Sequence, residues 1–228
     1  MTDHSEALFD AGPIGRVLDL AILAQAPDGP RLEDQLDRFC RVVRDSSVAS
    51  WVMPLAAVSA LLDQLADLVA EAGTASLPAF ARDKLARAAG DDWPVVDLLR
   101  FLADYTRDED SEPSPDPSRL PESSWEIWIR YSTINMFSAP FVSGEYTVAE
   151  AARASVAGRH PEECHTLTAA LAGEIQSALL AYRTPAELDA NLGFSIPWAT
   201  HGTLKELLRA VLDHFAEAHG DGTEGTTW

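Results

Sequence analysis

The chain has 228 residues, 46% of them hydrophobic and 23% charged, which is enough to build a sizeable core in one large domain or two small ones. Its net charge of −19 opposes nucleic-acid phosphates, so direct binding to DNA or RNA is not expected. No apolar run approaches the ~18 residues that span a bilayer. The opening MTDHSEALFD is acidic and unlike a signal peptide. Cys40 and Cys164 are too few for a disulfide framework. The expectation is a soluble, reduced, cytoplasmic protein with no membrane association.

The acidity is dispersed. It amounts to −8 over residues 1–106, −4 over 107–122 and −7 over 123–228. Such a field favours encounter with a basic partner. A composition bias produces the same balance, because lysine occurs only at Lys84 and Lys205 against fifteen arginines.

Taken in order, the elements carry a helical period. A first helix is expected over Ile14 to Ala24. Between Arg31 and Arg44, Leu32, Leu36, Phe39, Cys40 and Val43 recur at three- and four-residue steps with charges between them. Leu55, Val58, Leu61, Leu62, Leu65, Leu68 and Val69 repeat the stripe behind Pro54. A shorter helix is expected from Pro78 to Ala89, and another behind Asp92-Trp93-Pro94 through Val95, Leu98, Leu99, Leu102 and Tyr105. Residues 107–122, RDEDSEPSPDPSRLPE, are the one segment whose composition argues against packing, and they read as an exposed loop or linker.

Behind that break, Trp125 to Tyr146 holds six of the eighteen aromatic residues. Within residues 124–134, Trp125, Ile127, Ile129, Tyr131 and Thr133 alternate with Glu126, Trp128, Arg130 and Ser132 at a strand period. Ser123 with Glu126 makes a capping box instead, and Trp125, Trp128, Ile129, Ser132 and Met136 would then share a helical face. Helix is preferred, since a lone strand cannot satisfy its own backbone. Capping boxes are also read at Thr147 with Glu150 and at Thr203 with Glu206. Helix starts are read at His160-Pro161 and at Thr184-Pro185. A last amphipathic helix follows from Leu204 to Phe215, and residues 220–228 form a flexible tail.

The expected fold is therefore all-α. It comprises an array of about eight to ten helices, divided into an N-terminal half (1–106), the acidic loop, and a C-terminal half (123–219), with the two halves either packed together or merged in one elongated domain.

Chemical signatures are sparse. HPEECH brings His160, Cys164 and His165 together, but a zinc site needs three or four ligands. The rest would have to come from distant residues such as His201 or Glu174. The expectation is a chain without metal or other cofactor. Walker, nucleophile-elbow and dinucleotide motifs are missing from the sequence, and the carboxylate pairs Asp63/Asp67 and Asp213/Glu217 read as solvated charges.

The candidate binding residues are Trp125, Trp128, Tyr131, Tyr146, Trp198 and His201, which form either an interface or part of the core. Two functions are carried forward. One is a non-catalytic, protein-binding protein with a basic partner, of the inhibitor or immunity/antitoxin type. The alternative is a small helical enzyme or small-molecule carrier with an aromatic-lined pocket. Self-association as a homo-oligomer is compatible with either.

Overall fold

The computed structural model describes residues 12–44, 53–109 and 115–219. The expected tail at 220–228 lies outside the described residues. Among those described, every element is helical. The chain divides into two compact units, Met1–Asp116 and Pro117–Trp228. That boundary falls inside the acidic, proline-rich segment.

The first unit contains α1 (Pro13–Ala24), α2 (Leu32–Arg44), α3 (Leu55–Ala72), α4 (Ala79–Ala89) and α5 (Val95–Glu109). The stripes read from the sequence form its core: Val17 and Leu18, Leu36 and Phe39, Val58 and Leu62, Leu85, Leu98 and Leu102 are all buried. Helix α3 stops at Gly73, whose φ of 72° lies in the left-handed region that glycine adopts without a Cβ penalty.

Helices α3 and α5 pack together. A buried polar contact fixes their register: Ser59 Oγ donates to Ala103 O at 2.9 Å and lies 2.9 Å from Thr106 Oγ1. On the outer side Asp63 pairs with both Arg100 and Arg107, and Asp67 pairs with Arg100. The carboxylate pair at Asp63/Asp67 is thus a link between two helices, one that solvent screens.

The expected loop at 107–122 needs correction at both ends. Helix α5 continues through Arg107 to Glu109. Arg41, almost fully buried, donates to Pro115 O at 3.1 Å. Glu122 is buried, with its backbone N–H donating to Asn191 Oδ1 at 2.9 Å. Composition identified the break but not the contacts that tie its ends down.

The second unit contains α6 (Ser124–Arg130), α7 (Ser132–Met136), α8 (Ala139–Val142), α9 (Val148–Ala157), α10 (Ala169–Ala181), α11 (Pro185–Leu188) and α12 (His201–Ala218). The ambiguous segment at 124–134 is helical. Ser123 N–H donates to Glu126 Oε2 at 2.6 Å, which anchors the start of α6. Tyr131, with φ −127° and ψ 35°, breaks the helix into α6 and α7.

Three further details differ from the sequence reading. The capping box of the last helix is Thr200 with Thr203, not Thr203 with Glu206. Residues at 161–163 form turns in place of a helix start. A π-helical turn over Cys164–Thr168 then leads into α10. The core of this unit gathers Ile127, Tyr131 and Ile134 with Leu171, Ile175, Tyr182, Leu192, Leu204 and Leu207.

Three phenols are held above their ordinary range. Burial is the first cause for each, followed for Tyr105 by its hydrogen bond to Asp37 and for Tyr182 by the neighbouring Tyr131 and Glu122. A phenol pKa raised in the folded state adds stability that is fully present below about pH 10 and is lost as pH rises above it. The expected result is that phenolate absorbance from these residues grows together with loss of helical circular dichroism. Full phenolate formation in an intact helical protein would contradict this.

Candidate functional site

The six aromatic and histidine candidates do not line one cavity. Tyr131 is 1% exposed and belongs to the core, its ring centroid 6.2 Å from that of Tyr182. Trp198 is half-buried and stacks on Phe141 with centroids 4.3 Å apart. His201 opens α12, and its Nε2 lies 2.9 Å from Tyr182 O. A carbonyl only accepts, so this nitrogen carries the proton. These three residues serve packing.

Trp128 and Tyr146 face solvent, at 54% and 48% exposure, while Trp125 is half-buried. The helical face shared by Trp125, Trp128, Ile129, Ser132 and Met136 is the outward one, with Trp128, Ser132 and Met136 exposed and Trp125 and Ile129 half-buried. The inward face is Ile127, Tyr131 and Ile134. Both faces of this segment are apolar, so periodicity alone could not tell which one meets the core.

Among the described residues, eleven large hydrophobics are exposed, and five of them lie between 128 and 148: Trp128, Met136, Val142, Tyr146 and Val148. Scattered exposed apolar side chains are ordinary on a protein surface, whereas a contiguous apolar patch is a feature of contact surfaces.

A second constellation lies at the end of α12. His160, Cys164, His214 and His219 bring one ligand atom each within 4.8 Å of all the others. Cys164 Sγ is 3.4 Å from His160 Nδ1 and 3.1 Å from His214 Nε2. The C-cap His219 departs from helical φ at −129°, which turns its ring back to 5.3 Å from that of His214. Burial and the neighbouring His165, His214 and His160 hold the His219 pKa below the ordinary imidazole range.

The sequence reading had half of this group in HPEECH and sought the remainder in the wrong places. His201 is engaged with Tyr182 O, as above. Glu174 accepts from Thr133 N–H and Oγ1 and from Ile134 N–H. The available signal was HFAEAH, a second short run with a histidine at either end.

Beside His214 a groove of about 420 Å³ runs between α9 and α12. Its charged walls are Arg153, Glu206, Arg209, Asp213 and Glu217, and its floor is largely alanine. The carboxylate pair Asp213/Glu217 therefore borders a concavity. Among the described residues no helix is long and apolar enough to cross a membrane. Comparison of the chain with protein-family models, with curated proteins and with solved structures finds no match.

Proposed function

We propose that this chain is a non-catalytic binding protein that engages a basic protein partner through the 128–148 face of its second unit. The observation that carries the reading is the concentration of exposed large hydrophobics there, with Trp128 and Tyr146 among them. Tryptophan and tyrosine combine a large apolar area with a polar edge, and they dominate interface energetics when a partner covers them. The dispersed charge of −19 supplies the long-range attraction. An acidic inhibitor or an immunity/antitoxin-type protein is the class that fits, and a cytoplasmic location suits it.

The test begins with capture at low salt and reconstitution of the complex from purified components. Association should slow as ionic strength rises, because charge governs the encounter. Replacing Trp128 and Tyr146 together with serine should weaken the complex at least about tenfold, the behaviour of central anchor residues. A complex indifferent to salt and to both substitutions would end this reading.

One observation favours a second reading, a small-molecule site. The groove between α9 and α12 has the volume of a typical ligand pocket. Its walls are charged rather than aromatic, so it is not the pocket anticipated around Trp125, Trp128 and Tyr131.

A further inference from the structure

We infer that His160, Cys164, His214 and His219 form a tetrahedral site for a zinc-class divalent transition-metal ion. The argument begins with ligand count and type. One thiolate and three imidazoles supply four protein ligands of the types that zinc takes, enough to close a tetrahedral shell. Neither donor type suits magnesium or calcium, which take oxygen ligands.

Geometry carries the inference further. With metal–nitrogen distances of about 2.0–2.1 Å and metal–sulfur of about 2.3 Å, donor atoms at the corners of a tetrahedron lie roughly 3.3–3.6 Å apart. The contacts of Cys164 Sγ to His160 and His214, at 3.4 and 3.1 Å, are already at or just inside that spacing. The widest separation in the group, 4.8 Å at most, has to shorten by no more than about 1.5 Å for all four to hold one ion.

The backbone also favours the site. The ligands come from three places: the turn after α9, the first residue of the π-helical turn, and the end of α12. π-helical turns recur at functional positions, and here one begins at the cysteine. Cys164 is fully buried, His214 and His219 are half-buried, and His160 is exposed, so the shell is closed on the inside and reachable from solvent.

Without an ion, three imidazoles stand with ring centroids 5.1–5.5 Å apart around a thiol, and His219 Nε2 is buried with no hydrogen-bond partner. An ion would convert it into a clamp holding the end of α12 against the turn that leads into α10. With four protein ligands the ion has no vacant position for substrate, so the assigned role is structural. This inference rests on different residues from the partner-binding face and stands or fails separately from it.

The test uses the full chain, stripped with a chelator and titrated with Co²⁺ under reducing, thiol-free conditions. One equivalent should bind and produce the intense visible bands of tetrahedral cobalt together with a near-ultraviolet thiolate charge-transfer band. Zn²⁺ should displace it. Cys164→Ala should abolish the charge-transfer band, and His160→Gln should weaken binding at least about tenfold. His165→Gln, which alters a neighbouring imidazole outside the group, should leave stoichiometry and bands unchanged. Because Cys164 is buried and its variant risks misfolding, His160→Gln at the exposed ligand, with helicity verified by circular dichroism, is the deciding variant. Weak, six-coordinate cobalt spectra, or binding equal in the parent chain and His160→Gln, would overturn the site.

Discussion

Glu122→Ala is expected to destabilise the second unit by about 3–5 kcal/mol, the usual cost of removing one member of a buried ion pair. The Glu122 carboxylate is wholly inaccessible, and it pairs with Arg130, whose side chain is 13% exposed. Removing the carboxylate takes this ionic contact away from a guanidinium that is poorly solvated. For a unit of this size the loss corresponds to roughly 10 °C or more in Tm. Charge alone does not make the pair favourable, since desolvation opposes it. The double variant Glu122→Leu with Arg130→Met should therefore be less destabilised than Glu122→Ala. Equal losses in the two would mean that the charge left behind by Glu122→Ala is not what costs the stability.

Tyr131→Ala is the second large effect, also about 3–5 kcal/mol, the range for truncating a buried aromatic residue. The ring lies in the core beside Tyr182, and the Arg130 guanidinium sits 5.5 Å from its centroid. Domains are stable by only about 5–15 kcal/mol, so this change brings the unit close to unfolding. Tyr131→Phe keeps the ring and should cost much less. Chemical denaturation of the three proteins separates the cases. A phenylalanine variant as unstable as the alanine one would show that the hydroxyl, not the ring, is what the core requires.

The first unit was largely legible in the sequence. Leu36, Phe39, Cys40 and Val43 form one apolar stripe facing a charged one, so a single helical face was available to bury. Helix ends announced by local chemistry were legible too, as at Thr147 with Glu150 and Thr184 with Glu187. Where one signal was shared by two solutions, the sequence left the choice open. Residues 124–136 are apolar on both faces, and the structure buries Ile127, Tyr131 and Ile134. Thr203 was mistaken for an N-cap because it stands three residues before Glu206. The helix begins at His201, three residues before the start that a Thr203 cap implies, with Thr200 as the cap and Thr203 answering it.

The metal-type cluster was half legible for a different reason. His160 and Cys164 are neighbours in sequence, but His214 joins them from 50 residues away. That proximity is a product of how α12 packs in the unit, which no local pattern records. His219 needed one more piece of information, the non-helical C-cap geometry that turns its ring back. The buried Glu122 was hidden in a segment whose composition is that of a loop. Its burial comes from Arg130 and Asn191, neither of which marks residue 122 in the sequence.

The central claim is that the 128–148 face of the second unit meets a protein partner. Hydrogen–deuterium exchange of the full chain, alone and with the captured partner, tests it most directly, because a covered surface slows the exchange of the amides beneath it. Slowed exchange in peptides spanning residues 128–148 is the expected result. Slowing confined to the first unit, with residues 128–148 unchanged, would contradict the account.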